Sequence, residues 1–270
     1  MSDSSSSNSP TPKPKTAWSL GSYSDLALFI LPVSAHLVRL CNVSPNDKVL
    51  DVACGTGNTA ITARRMGGAK VTGVDFTPEL LSQAKAEATL AEAGDIEWKE
   101  CNAEDLSFGD TSFDVVVSSF GYMFAQNPEV AIKEMLRVLK MGGRVAFATW
   151  PAELVNGKLS EAMAKHIPSP NNPPPSPMQW GIPDVVQKCL GSDVKDIHFE
   201  RGFVNIPMLS PNHYWKMAST KGGTLIQAIQ TLKDPQKIEA LKKDILEAIA
   251  PYMHDNVLRL DYLVTVATKA

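Results

Sequence analysis

Two acids and a pair of glycines carry the clearest chemical signal in this 270-residue chain. The stretch Val49-Leu-Asp51-Val-Ala53-Cys-Gly55-Thr56-Gly57-Asn58 places an acid near the end of an apolar run, followed by a glycine-rich turn. A second apolar run ends in Asp75, 18 residues after Gly57. Gly55 and Gly57 permit backbone conformations that side chains disfavour, and they let a ligand approach the main chain. A helix starting after the turn offers free N–H groups to an anion such as a carboxylate or phosphate. Asp75, at a strand end, suits the two hydroxyls of a ribose.

The glycines alone are ambiguous, because Gly55-Thr-Gly57-Asn-Thr-Ala60 also fits the dinucleotide pattern G-x-G-x-x-A. Asp51 discriminates. An acid four residues before Gly55 repels a pyrophosphate and attracts an ammonium or sulfonium group. The combination points to a nucleoside cofactor that carries positive charge, S-adenosylmethionine, and hence to methyl transfer.

The elements needed to hold these residues follow from hydrophobic periodicity. Strands are expected at Lys48–Ala53, Lys70–Asp75, Ile96–Glu100, Phe113–Ser118 and Arg144–Thr149. Helices are expected at Thr59–Met66, from Thr77 to about Ala93, and at Pro128–Lys140, the last ended by Gly142-Gly143. Thr77-Pro78-Glu79 has a cap, a proline for the first helical position and an acid for the positive helix end. Alternating strands and helices imply a parallel sheet covered on both faces. Beyond residue 150 the pattern changes. Pro168–Pro177 holds six prolines in ten residues and reads as a loop. Gly181–Leu190 reads as a helix, Val194–Ile206 contains a strand, Pro207–Asn256 is mostly helical, and Leu260–Thr268 is a final strand. That last strand suits an antiparallel hairpin at the sheet edge.

Composition sets limits. Net charge is −3, with 44% hydrophobic and 20% charged residues, so a general positive field for a nucleic-acid backbone is absent. The four cysteines, Cys41, Cys54, Cys101 and Cys189, have no metal-ligand spacing and read as free thiols in a reducing, cytoplasmic setting. No metal site is expected. Residues 1–16, rich in Ser, Asn, Pro and Lys, read as a disordered tail. The apolar run Leu26–Leu40 is interrupted by Pro32, Ser34, His36 and Arg39. It falls short of the roughly 20 residues that span a bilayer, although its amphipathic face would suit membrane contact if the acceptor were a quinone or lipid.

The ordered motifs from about Trp18 to Trp150 resemble the class I S-adenosylmethionine-dependent methyltransferases, in their small-molecule, ubiquinone/menaquinone-methyltransferase-like (type 11) branch. Leu50-Asp-Val-Ala-Cys-Gly-Thr-Gly57 resembles the family's first motif, and Val71-Thr-Gly-Val-Asp75-Phe76 its ribose-binding strand end. Cys101-Asn-Ala-Glu-Asp-Leu106 resembles its adenine-contacting turn. Phe113–Phe120 resembles its fourth strand and Glu134–Arg144 the passage into its fifth. The resemblance implies an α/β fold: a Rossmann-like, doubly wound, seven-stranded, mostly parallel sheet with an antiparallel last strand and helical cap insertions. It implies a single domain over 17–270, with core motifs in 48–150 and cap or substrate segments at 17–42, 151–192 and 207–256.

Carried over by position, the cofactor-binding set is Trp18, Tyr23, Asp51, Ala53, Gly55, Thr56, Gly57, Asn58, Asp75, Phe76, Asn102, Ala103, Glu104, Ser118 and Ser119. Gly55 and Gly57 would approach the methionine and ribose, Phe76 would pack on adenine, and Asn102 and Ala103 would meet its edge. Where this chain has Asn102 the family most often has Asp. Trp18 and Tyr23 resemble a segment that folds over the cofactor.

The expected reaction is an in-line displacement at the sulfonium methyl, with the acceptor a small molecule of apolar or aromatic character. Phe29, Met163, Met178, Trp180, Met208, Tyr214, Trp215 and Met217 are candidates to line its pocket. The five histidines stand isolated in sequence. His166, His213 and Tyr122 are the candidate bases, and no catalytic triad order is present. An NAD(P)-dependent oxidoreductase and a non-catalytic S-adenosylmethionine-binding protein are the alternatives.

Overall fold

The computed structural model of the chain describes residues 17–167 and 176–270. The N-terminal tail and most of the proline-rich loop lie outside the described residues. Four strands and their helices begin the order: helices α1 (Tyr23–Ala27) and α2 (Leu31–Leu40), β1 (Lys48–Val52), α3 (Asn58–Gly67), β2 (Lys70–Asp75), α4 (Pro78–Leu90), β3 (Glu97–Glu100) and β4 (Phe113–Ser119). Next come α5 (Pro128–Val138), β5 (Leu139–Thr149), α6 (Val155–Ala164), α7 (Pro183–Leu190) and β6 (Val194–Pro207). Helices α8 (Pro211–Lys221), α9 (Gly223–Leu232) and α10 (Pro235–Ile249), and strands β7 (Met253–His254) and β8 (Val257–Lys269), complete the chain.

The strands form one sheet in the order β3-β2-β1-β4-β5-β8-β6, with β7 beside β8. Strands β1 to β5 pair in parallel, and β8 runs antiparallel to both β5 and β6. This is the expected mostly parallel sheet with an antiparallel last strand. The two-residue β7 is an addition, in a stretch expected to be helical. Asp255 and Asn256 both hold positive φ (50° and 59°), which makes a tight two-residue hairpin between β7 and β8.

Burial on both faces explains the near-continuous apolar strands. In β4, Val115 and Val117 face one core layer, with α2, α3 and the cap helices α8 to α10. Val116 faces the other, with Met135, Leu136, Trp180 and Val186. Helix α5 ends earlier than expected, at Val138, and Leu139 enters β5 directly. Leu139 is fully buried opposite Phe113, and the register then shifts before Arg144 pairs with Val115. Residues 140–143 therefore form an irregularity within the strand rather than a helix end. Val138-Leu139 fits either period, and burial against β4 decides between them.

The helical stretch Tyr23–Leu40, 18 residues of mean hydropathy 1.3, is long and apolar enough to cross a membrane by length and composition. In the fold, its α2 portion buries Val33, Leu37 and Val38 in the core.

Candidate functional site

The glycine turn after β1 is built around left-handed backbone. Ala53 (φ 54°), Gly55 (56°) and Gly57 (82°) alternate with residues of ordinary conformation. Ala53 carries a β-carbon in that region, a local strain that persists only where surrounding contacts fix it. The Cys54 N–H donates to Val74 O at 2.9 Å, anchoring the turn to β2. Phe120, just past β4, is also left-handed (φ 60°). Sheet order reverses between β1 and β4, the position where open α/β sheets bind ligands.

A cavity of about 790 Å³ opens there. One group of lining residues comes from the strand ends: Ala53, Cys54, Phe76, Asn102, Ala103 and Glu104. Trp18 and Tyr23 join them from the N-terminal segment. Tyr23 lies over the turn, since a β-carbon on Gly55 would stand 3.5 Å from its ring. Burial, then the charge of Asp75, pushes the Tyr23 phenol up to about 12. Trp18 packs edge-on against Tyr23 and Phe124, with ring centroids 6.0 and 4.9 Å away. Phe76 leaves 46% of its surface uncovered, unusual for a phenylalanine at a cavity and suited to a planar ligand.

The second group comes from the cap and neighbouring strands, and includes Phe29, Phe120, Trp150, Met163, Tyr214 and Leu225. Phe120 and Trp150 stack in parallel, centroids 3.7 Å apart and planes 7° apart.

Beneath the turn lie the two acids. Asp75 is buried, its Oδ2 accepting from the Gly55 N–H and its Oδ1 from the Thr77 N–H, both at 2.9 Å. Burial raises its pKa against the pull of those amides. A carboxylate oxygen that accepts one hydrogen bond keeps room for another. Asp51 is also buried. Its Oδ2 accepts from the Ala60 N–H at 2.9 Å, while Oδ1 has no partner. Burial pushes this carboxyl up to about 8, opposed by the Ala60 amide and reinforced by Asp75. A buried oxygen without a partner is costly unless a ligand supplies one. Ser119, on the cavity at the end of β4, likewise has an unpartnered buried hydroxyl.

Several sequence expectations are redirected. Gly57 turns away from the cavity: a β-carbon there would stand 2.5 Å from Trp98 Cη2. Thr56 is buried, and the Asn58 amide donates to Ala27 O at 2.9 Å, tying α3 to α1. The Ser118 hydroxyl donates to Val52 O at 2.7 Å and accepts from the Tyr122 N–H at 3.1 Å, bracing β1 and β4.

The three candidate bases lie in different surroundings. Tyr122 borders the cavity, but its hydroxyl is sealed without a partner, its ring packs on Phe147 and Trp180, and burial holds its pKa well above the ordinary range. His166 pairs with Asp244 at 3.1 Å and pins α6 to α10, outside the cavity lining. His213 is exposed and bonds Ser210 at 2.8 Å at the start of α8. Met178 and Trp180 belong to the core on the other sheet face. Met208 and Trp215 pack in the first core layer without lining the cavity. Phe29, Met163, Tyr214 and Met217 do line it. Phe120, Trp150 and Leu225 were missed as pocket residues. The aromatic residue directly after Ser118-Ser119 was the available signal for Phe120.

A family model described as a methyltransferase domain matches residues 50–147. Uncharacterized protein Rv1403c of Mycobacterium tuberculosis is 34% identical over 255 residues, 93% of this chain and 92% of that protein. The ubiquinone/menaquinone biosynthesis C-methyltransferase UbiE of Geotalea daltonii is 40% identical over 111 residues, 40% of this chain and 47% of that protein. In fold, the chain is similar to geranyl diphosphate C-methyltransferase of Streptomyces coelicolor, solved with Mg2+, geranyl-S-thiolodiphosphate and S-adenosyl-L-homocysteine. The TM-score is 0.53 at 15% identity, covering 88% of this chain and 76% of that one. The chain belongs to the class I S-adenosylmethionine-dependent methyltransferases. Its reaction is methyl transfer from S-adenosylmethionine to a small organic acceptor. Neither alternative, the oxidoreductase or the non-catalytic binder, finds support in these relationships.

The residues present fit the cofactor. Asp51 does not line the cavity, but its partnerless oxygen lies buried beneath the turn, where a negative charge suits a cationic group above it, and the uncovered face of Phe76 suits an adenine.

Proposed function

We propose that the acceptor is an uncharged, largely apolar molecule seated among Phe29, Phe120, Trp150, Met163, Met217 and Leu225, while S-adenosylmethionine occupies the strand-end side. One observation carries this reading. Among the described residues lining the cavity, the only formally charged side chain is Glu104, on the strand-end side, and no Lys or Arg is present. Glu104 is itself engaged, its two oxygens accepting from the Asn127 N–H and side-chain amide at 3.0 Å each. A carboxylate or diphosphate acceptor would enter this cavity without a cation to pair with it, which is expensive. Among the described residues no group of three or more His, Cys, Asp or Glu could hold a metal to serve instead.

On this reading Asp51 faces the cofactor's positive charge, Asp75 and the Gly55 turn take the ribose and methionine parts, and Phe76, Asn102 and Ala103 receive the adenine. Ser119 stands near the transferring methyl, and Trp18 and Tyr23 cover the site. Bound S-adenosylmethionine supplies the activated methyl group. The chain's own residues align the acceptor and keep water out. With Tyr122 sealed and both histidines outside the cavity lining, the acceptor brings its own reactive lone pair. The domain is proposed to span 17–270, and α7 belongs to the far face of the sheet rather than to the acceptor cap. All four cysteines are free, in accord with a reducing cytoplasmic setting.

The test is a methyl-transfer assay with isotope-labelled donor across uncharged phenols, quinols and amines, alongside carboxylates and diphosphates. Label should enter the uncharged set. Turnover confined to the anionic set would overturn the proposal.

A further inference from the structure

Helix α8 delivers a tyrosine into a largely apolar wall, whose polar neighbours on α9, Thr224 and Gln227, are exposed. Ser210 caps the helix, its hydroxyl accepting from the His213 N–H, and Pro211 opens the first turn, which fixes where Tyr214 falls. Tyr214 lines the cavity and packs, half-buried, against the core layer that holds Trp150, Met163 and Phe29. Its hydroxyl makes no hydrogen bond with any described residue. The other cavity hydroxyls are differently placed. Tyr122 and Ser119 are sealed from solvent, Tyr23 belongs to the glycine turn, and Thr224 is exposed.

We propose that Tyr214 determines acceptor specificity by donating a hydrogen bond to an uncharged carbonyl or ether oxygen on an apolar acceptor. This rests on the reading of the cavity as the seat of an uncharged, apolar acceptor. Burial alone pushes the Tyr214 phenol up to about 12, so the group stays protonated at neutral pH and acts as a donor, not a base. A pocket that presents an unpartnered polar group among largely apolar walls discriminates against ligands that leave it unpaired. The wall formed by Trp150 flat on Phe120 adds shape selection for a planar or compact ring system. Trp150, through its indole N–H, and Gln227, through its side-chain amide, are the rival donors.

The probes are 1-tetralone and tetralin, one bicyclic frame with and without a carbonyl oxygen. Each is titrated by calorimetry into the full-length chain saturated with S-adenosylhomocysteine. The wild type should bind 1-tetralone on the order of five- to ten-fold more tightly, the factor one net hydrogen bond supplies. Tyr214→Phe should abolish that preference while leaving tetralin and S-adenosylhomocysteine affinities unchanged. A preference that survives in Tyr214→Phe, or that Trp150→Phe alone removes, overturns the assignment. Equal binding of the two probes by the wild type overturns it as well. Failure of the wild type to bind either probe instead overturns the apolar-acceptor reading beneath it, and the assignment falls with that reading.

Discussion

A β-carbon on Gly121 would stand 2.5 Å from Ala53 Cβ and 2.5 Å from the Ala53 carbonyl oxygen. The ends of β1 and β4 thus close on each other at the point where sheet order reverses, and only glycine permits it. The two non-glycine residues with left-handed backbone at this point, Ala53 and Phe120, flank that contact and both line the cavity. Close approach of the two strand ends shapes this part of the cavity wall.

Gly121→Ala should therefore damage both the fold and the site. Overpacking of this kind costs about 1–3 kcal/mol. Because Ala53 must move, affinity for S-adenosylmethionine should fall as well. Thermal denaturation and calorimetry check the two effects. Unchanged melting with unchanged affinity would show that the strand ends part without consequence.

Asp51 should make the ligand-free protein lose stability as pH rises. Its folded pKa, about 8, lies above its ordinary 3.8. Between those values the folded state holds a proton that the unfolded state has released. The Asp51 contribution to stability is then complete below about pH 4, declines by up to about 1.4 kcal/mol per pH unit, and levels off above pH 8. Asp75, also raised by burial, acts in the same direction. Carboxyls held low by partners, such as Glu134 and Asp114, act in the opposite direction in acid. Asp51→Asn should flatten the decline of melting temperature between pH 5 and 8. It should also weaken cofactor binding most at high pH, where the wild-type carboxylate is ionised. Parallel melting curves for wild type and variant would exclude this role.

The parallel core was legible because its signals are local: apolar runs of strand length, Thr77-Pro78-Glu79 at a helix start, and glycines at the turn. What the sequence hid was direction. Asp75 and Gly57 sit where their spacing implies, yet Asp75 spends one acceptor position of each oxygen closing the turn, and Gly57 makes room for Trp98. Tyr122 and Trp180 are aromatic, but each lies in a short 3-10 turn outside any strand, where no period of two or 3.6 signals direction, and both pack into the opposite core. The cap was least legible. The proposed acceptor wall joins Phe29 to Tyr214 and Leu225 across nearly 200 residues, and no sequence period spans that separation.

Trp98 is wedged over two glycines. A β-carbon on Gly73 would stand 2.5 Å from its Cζ3, as one on Gly57 would from its Cη2. Gly73 is free of left-handed strain, so Gly73→Ala isolates the steric effect. That variant should cost about 1–3 kcal/mol in the wild type. In a Trp98→Leu background the cost should shrink, giving a coupling energy of about 1 kcal/mol or more in a double-mutant cycle of denaturant unfolding. Strict additivity would show that the indole yields without strain.

The histidines predict a separation of stability from activity. His166→Ala removes the link between α6 and α10 and should lower the melting temperature modestly, since its Asp244 partner is only part-buried. His213→Ala should do still less, as its contact is exposed. Neither should alter the pH profile of kcat measured with whichever acceptor turns over. Loss of an ionisation from that profile in either variant would restore that histidine as a base.

The N-terminal segment, proposed to cover the cofactor, is joined to α8 and α9 through backbone. The Ser22 N–H donates to Lys221 O at 3.1 Å, Gly21 bridges Gly222, and Asp25 pairs with Lys221 at 2.7 Å. A β-carbon on Gly223 would stand 1.7 Å from Ala17 O. Gly223→Ala must displace residues 17–20, which carry Trp18 toward Tyr23, and should raise KM for S-adenosylmethionine several-fold with little change in melting temperature. The Asp25–Lys221 pair is exposed and screened by solvent, so Lys221→Ala should leave KM close to wild type. Backbone packing, rather than the ion pair, is what seats the cover on the turn. The opposite ranking of the two variants in steady-state kinetics would assign that task to the charges.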